Sequence, residues 1–293
     1  MPAITGALLA LDVGGTKLAA GVVSSGQLVA REIAETPKGA GAEAVFETAA
    51  SLLERVRTRA ALDVVALGVG CGGPMDATTV SPLNIPAWRR FPLAASLEER
   101  LGLPVSVDND AKALALAEGW LGAARGATSF LAMVVSTGVG GGLVLDGRLL
   151  DGLHRNAGHV GHVIVEPDGR PCACGGHGCL EAEVSGTAIA ATTGRPAKDA
   201  DAPTIERCGT LVGRAVASVA NLLDLELAVV GGSVALGFGA PFFAAAQREL
   251  SARARLSFSA HATIVPVGLG DEAPLVGAAA VALHASGAEL LAR

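Results

Sequence analysis

Apolar positions run unbroken from Ala7 to Leu11 and then meet Asp12-Val13-Gly14-Gly15-Thr16-Lys17, which predicts a buried strand over 7–13 entering a glycine turn. A second strand follows at about 18–23, then the turn Ser24-Ser25-Gly26, then a third strand near 28–34. Residues 42–60 contain neither Gly nor Pro and read as a helix. The run 63–70 reads as a strand entering a Gly-Pro turn, and Pro104 to Val107 as a short strand before a helix at about 110–121.

The opening pattern then returns. Residues 129–136 form an apolar strand ending in Thr137-Gly138-Val139-Gly140-Gly141-Gly142; another strand, the turn Asp146-Gly147 and a third short strand follow. Strand, glycine turn, strand, polar turn, strand thus occurs twice, which predicts an internal duplication and two related α/β domains around a cleft. The second copy continues with a helix around 205–222, a strand at 225–230 and the turn Gly231-Gly232-Ser233. The apolar segment from Pro274 to Leu291 is expected to be a helix returning to the first domain. The expected division is 1–112 plus 275–293 for the smaller domain and 113–274 for the larger.

A single glycine turn is ordinary hairpin chemistry. Two at equivalent places in duplicated units point to phosphate, because amides without side-chain cover make a concave anion site. Neither familiar alternative fits. None of the four lysines (Lys17, Lys38, Lys112, Lys198) follows a glycine, as a Walker A loop requires, and no Gly-x-Gly-x-x-Gly opens a helix after the first strand.

Composition narrows the classes. About half the residues are apolar (51%) and 17% are charged, so a large core is expected. No uncharged run consists of the roughly 20 strongly apolar residues that a membrane span requires, and the start, Met1 to Gly6, lacks the basic and apolar regions of a signal peptide. A cytoplasmic protein is expected. The net charge of −6, with no basic run, disfavours nucleic acid.

Three of the five cysteines crowd together, and His162 precedes Cys172-Ala-Cys174-Gly-Gly-His-Gly-Cys179 by ten residues. One imidazole and three thiolates are a standard closed tetrahedral set for structural zinc, with His177 the less favoured donor. Glu181 lies two residues beyond Cys179, where a rigid metal loop would fix its carboxylate; His159 lies three before His162, on the same face if that stretch is helical. Asp108-Asn109-Asp110, between a short strand and a helix, reads either as an N-cap or as a general base for transfer to a hydroxyl, and the two roles can coexist.

Together these residues resemble the ROK family of sugar kinases and repressors, whose fold is the duplicated actin-like (ribonuclease H-like) ATPase fold. The resemblance covers nearly the whole chain. Leu11 to Lys17 looks like the family's first phosphate motif and Ser136 to Gly142 like its second. Gly72-Gly73-Pro74-Met75-Asp76 and Ser81 to Trp88 look like its sugar-side loops, Asp108 to Ala111 like its catalytic segment, and 172–181 like its Cys-x-Cys-Gly-x-x-Gly-Cys-x-Glu signature.

The resemblance implies Asp110 as catalytic base, with Gly73, Asn84, Asn109, Asp110, His159, His162 and Glu181 against the sugar. It implies Asp12, Gly14, Gly15, Thr16, Lys17, Thr137, Gly138, Gly140 and Gly232 around Mg2+ and ATP, and a homodimer. Three positions depart from the family: His159-Val-Gly-His162 replaces Glu-x-Gly-His, the stretch from Thr192 to Glu206 is short, and Ser233 stands where many members have glycine. The expected reaction is phosphorylation of a hexose at its 6-hydroxyl, glucose first, with N-acetylmannosamine or N-acetylglucosamine as alternative substrates. A silent sugar-binding or regulatory protein is the other class considered. A repressor is disfavoured, because Asp12 is too near Met1 for a preceding DNA-binding domain.

Overall fold

The computed structural model describes residues 6–292; the expectation for the first residues therefore lies mostly outside the described part, and so does the final Arg293. The chain forms two compact units. One comprises the chain up to Gly122, Asp151–Ala157 and Leu269–Ala292; the other comprises Ala123–Leu150 and Gly158–Gly268. The first division therefore falls at 122/123 rather than 112/113, and a seven-residue excursion interrupts the second unit, a crossing that a polar loop sequence does not announce.

In the first unit, β1 (Ala7–Val13), β2 (Lys17–Ser24) and β3 (Gln27–Glu35) form an antiparallel meander. Helix α1 (Ala42–Ala60) leads to β4 (Val64–Cys71), parallel to β1. Helix α2 (Leu93–Leu101) precedes β5 (Val105–Asn109), and the sheet order is β3-β2-β1-β4-β5. Both faces of β1 are covered, which is why its sequence is apolar without alternation. Leu9, Leu11 and Val13 pack with Val45, Ala49 and Leu53 of α1. Leu8 and Ala10 pack on the opposite face with Leu275, Ala278 and Ala282.

Helix α3 (Asp110–Trp120) follows β5 directly. The second unit repeats the plan with β6 (Phe130–Val135), β7 (Val139–Leu145) and β8 (Arg148–Leu149). A 3-10 turn at Val160–His162 and the short helices α4 (Leu180–Val184) and α5 (Gly186–Thr193) come next. Helix α6 (Ala202–Leu223), capped by Asp201, then leads to β9 (Leu227–Gly231). Helix α7 (Ser233–Arg253) is broken at Gly239 two residues before Pro241, and β10 (Thr263–Pro266) completes the sheet β10-β9-β6-β7-β8. Read from its other edge this is the order of the first sheet, as duplication predicts. The last helix, α8 (Ala273–Ala285), stops well before Leu291 because Gly287, at φ 86°, turns the chain out of helical conformation. Among the described residues no helix is long and apolar enough to cross a membrane.

Candidate functional site

The first glycine turn joins β1 to β2. Gly14 N–H donates to Lys17 O (3.0 Å), Thr36 Oγ1 to Gly14 O (2.7 Å) and Thr36 N–H to Thr16 O (3.1 Å). The turn's carbonyls are thus engaged internally, so an anion here would meet amide donors rather than carbonyl oxygens. A Cβ on Gly15 would lie 2.4 Å from Cβ of Asn84, so only glycine lets this turn and the loop 81–88 touch.

That loop is rigidly built. Trp88 is fully buried, stacks on Phe91 with centroids 4.7 Å apart, and donates through Nε1 to Ala42 O (3.1 Å). Arg89 Nη1 gathers the carbonyls of Pro82 (2.9 Å), Ile85 (3.2 Å) and Trp88 (2.8 Å) around Asn84. Gly73 O accepts from Leu83 N–H (3.3 Å) and so joins the loops 72–76 and 81–88.

Asp110 opens α3, where the helix dipole favours its carboxylate charge. Asn109 is the N-cap, accepting from Ala111 N–H at 3.0 Å, a bond typically worth about 1 kcal/mol. The capping role is therefore real for Asn109, and its amide nitrogen remains as a donor for a ligand. Asp12, half-buried, has its acid pKa pushed up to about 7, by burial first and the Asp110 charge second, with Lys17 pulling the other way. A pair of coupled carboxylates beside a glycine turn suits a cation-bound polyphosphate.

In the second unit the turn from β6 to β7 is held from three sides. Ser136 O accepts from Gly186 N–H (2.7 Å), Thr137 O from Thr187 Oγ1 (2.9 Å), and Ser136 Oγ pairs with Ser233 Oγ (2.9 Å). The Ser233 departure is thus part of the turn's own bracing. Gly232, at φ 94°, would place a Cβ 2.4 Å from Val135 O, so this position demands glycine twice over. Glu181 Oε2 accepts from Val139 N–H at 2.8 Å, tying the residue implied as a sugar contact to the glycine turn of Thr137, Gly138 and Gly140.

His159 and His162 share a face because the stretch between them is a 3-10 turn, in which residues three apart eclipse; their rings lie 6.2 Å apart and 18° from parallel. Gly161 lets that turn press onto β7, since a Cβ there would meet Val139 O at 2.2 Å. His159 is exposed and His162 half-buried.

His162, Cys172, Cys174 and Cys179 each offer a donor atom, all within 4.8 Å of one another; His177 is outside the set. His162 Nδ1 lies 3.7 Å from Cys172 Sγ, and Cys174 Sγ lies 3.7 Å from Cys179 Sγ. Metal–sulfur bonds of about 2.3 Å at tetrahedral angles require sulfur–sulfur edges of about 3.8 Å, so the donors fit such an ion. With Nδ1 turned towards Cys172 Sγ, Nε2 of His162 is the ring nitrogen outside the donor cluster. Glycines shape the loop: Gly175 N–H donates to Cys172 O (2.9 Å) and Cys172 N–H to Gly176 O (2.8 Å). Behind it, burial would push the Glu183 carboxyl up, but Arg170 and Arg207 hold it below the usual range, Arg207 Nη2 at 2.7 Å.

Sequence reasoning had not singled out Lys112, Asp151, Asn156 or Arg89. The available signal was Lys112 itself, a charge inside a helix otherwise made mostly of Ala and Leu.

Comparison with known proteins fits this geometry. The family profile described as ROK family matches residues 8–285. An N-acetylmannosamine kinase of Pasteurella multocida is 33% identical over 92% of this chain and 94% of its own length. Among solved structures, a ROK hexokinase from Thermus thermophilus superposes with a TM-score of 0.80 at 36% identity, covering 96% of this chain and 99% of that one. A ROK family glucokinase from Streptomyces griseus, in complex with glucose and AMPPNP, gives a TM-score of 0.83 at 30% identity, over 94% and 98%. The sheets, duplicated in order, are those of the actin-like ATPase fold, and the chain belongs to the ROK family.

Proposed function

We propose that the sugar phosphorylated by this ATP-dependent kinase is N-acetylmannosamine, at its 6-hydroxyl. The observation that carries the choice is His159, eclipsing His162 where the family pattern has a carboxylate. A carboxylate only accepts hydrogen bonds, whereas a neutral imidazole can donate one and offers a flat apolar face. An N-acetyl group presents the complement, a carbonyl acceptor and a methyl. Similarity to N-acetylmannosamine kinases supports the same reading. The second reading, glucose, is favoured by likeness to the glucose-bound Streptomyces griseus enzyme.

In the reaction, Asp110 takes the proton of O6 as that oxygen attacks the γ-phosphorus, and the bond to the bridging oxygen breaks to release ADP. Asn84, Asn109, His162 Nε2 and Glu181 orient the sugar, with Gly73 lining its loop. The two glycine turns hold the phosphates, and Asp12 and Lys17 meet the charge of Mg2+-ATP. Mg2+ supplies neutralisation of the phosphates when bound. We assign zinc to His162, Cys172, Cys174 and Cys179 as a structural ion, its donor set closed to substrate. The donor implies a cytoplasmic setting, and the outward-facing Leu222 and Leu236, 79% and 37% exposed, favour a homodimer, which light scattering would test.

A coupled ADP-release assay over N-acetylmannosamine, N-acetylglucosamine, glucose and mannose tests the substrate. N-acetylmannosamine should give the highest kcat/KM, and His159→Glu should shift preference towards glucose by about tenfold or more. A wild-type preference for glucose would reject the assignment. Asp110→Asn should lower kcat by about 10²–10⁴-fold with sugar binding retained.

A further inference from the structure

Helix α3 carries two fully buried charged side chains, Lys112 and Glu118, in a row otherwise made of Ala, Leu, Gly and Trp apart from Asp110. Lys112 Nζ lies 2.6 Å from Asp151 Oδ1 and 3.6 Å from Asp108 Oδ1. Glu118 Oε1 accepts from Leu269 N–H at 3.1 Å. Asp151 and Leu269 are the first residues of the two segments that rejoin the first unit after excursions into the second. Of the two departures from the first unit, after Gly122 and after Ala157, the former comes at the end of α3 itself, where Gly122 N–H donates to Glu118 O (3.1 Å).

The excursion Asp151–Ala157 is fastened at its far end too. Asn156 Nδ2 donates to Met75 O (3.1 Å) while its Oδ1 accepts from Met75 N–H (3.4 Å), as a strand partner would. Ala157 N–H closes the strap onto Asp151 O (3.0 Å). Two residues further along the chain is His159. At the other side of Lys112, Asp108 Oδ1 accepts from Asn109 N–H (2.8 Å), one residue before Asp110.

Apolar residues could fill these positions without the desolvation that a buried ammonium and carboxylate incur. What they could not do is grip polar groups on other segments. We infer that α3, which begins with the catalytic base, is the post to which the chain's re-entries into the first unit are fastened, with Lys112 and Glu118 as positioning residues for phosphoryl transfer. Lys112 sets the strap that feeds His159, and through Asp108 it sets the start of the helix bearing Asp110. This role rests on the kinase reading above.

Asp151 is half-exposed, so its replacement tests the strap without emptying the core. Asp151→Ala should raise KM for N-acetylmannosamine by about tenfold while KM for ATP stays within about twofold, since a misplacement near 1 Å is costly in a positioned site. Asp151→Asn, which keeps an acceptor for Lys112, should recover part of the loss. Hydrogen exchange reads the same geometry without turnover: amides at 152–157 should exchange about tenfold faster in Asp151→Ala, with 172–179 unchanged. Lys112→Met should reproduce both effects, and if it proves insoluble the Asp151 pair still decides. Unchanged sugar KM with unchanged exchange would overturn the inference. So would a fall in kcat and Tm together at constant KM, the mark of stability alone. If the wild type phosphorylated no sugar at all, the kinase reading would fail separately, and exchange at 152–157 would still judge the strap.

Discussion

The turn after β1 and the turn after β6 descend from one pattern, yet they are braced by different chemistry. The first is charged: Asp12 and Lys17 flank it, burial and then the Asp110 charge raise the Asp12 pKa, and a single threonine, Thr36, gathers carbonyls of the turn. The second is neutral, held by Ser136, Thr187 and Ser233 and by one carboxylate, Glu181, that arrives from beside the metal loop. Duplication preserved the backbone hairpin, and divergence left charged residues beside one copy and the His162, Cys172, Cys174 and Cys179 cluster near the other.

The largest expected break in that comparison comes from removing the metal. Stripping it with a chelator should unfold the loop around Cys172 and Cys179, raise sugar KM by at least about tenfold and lower Tm. Limited proteolysis should then cut within 163–179 while the meander of β1 to β3 stays protected. Cleavage spread evenly over both units would reject a local role for the ion.

Glycine substitutions should separate the turns at smaller cost. Gly232→Ala forces a side chain into both a left-handed backbone and Val135 O, so it should destabilise by about 1–3 kcal/mol and weaken ATP with little effect on sugar KM. Gly15→Ala instead pushes on Asn84, so both ATP and sugar KM should rise. Equal effects of the two on sugar would erase the distinction.

The mildest test is pH. With Asp12 at about 7 in the folded chain against 3.8 unfolded, the folded state keeps a proton that the unfolded chain has lost between those values. Stability contributed here therefore falls as pH rises from about 4 to 7, and Asp12→Asn should flatten that slope in thermal melts. Mg2+-ATP requires the ionised form, so kcat/KM for ATP should climb with pH towards 7. A profile flat across that window would remove Asp12 from the charged turn.

Much of this was legible before any coordinates. The uninterrupted apolar run of β1, the glycine turns and their repetition specify the meander and the duplication, because a strand buried on both faces has no other way to be written. The cluster of His162, Cys172, Cys174 and Cys179 was legible because these four possible donors are close in sequence. Helix α2 was not, since only Leu93 and Leu97 of its nine residues are buried. Helix α7 hid behind Gly237, Gly239 and Pro241, which break the periodic signal where the helix itself breaks. The return of Asp151–Ala157 to the first unit depends on Lys112 and Met75, residues about 40 and 80 positions away, a distance at which local pattern carries no information. Ser233, a departure in sequence, became intelligible only once its hydroxyl was seen against Ser136.

Glu181 also has a thermodynamic consequence. With zinc in the four-donor set, a carboxylate two residues from Cys179 and bonded to Val139 N–H would link the ion to the turn that we propose for the nucleotide. Linkage is reciprocal: whatever free energy the metal lends to nucleotide binding, the nucleotide must return to metal binding. Under that linkage, ATP-loaded enzyme would release zinc to a chelator more slowly than nucleotide-free enzyme.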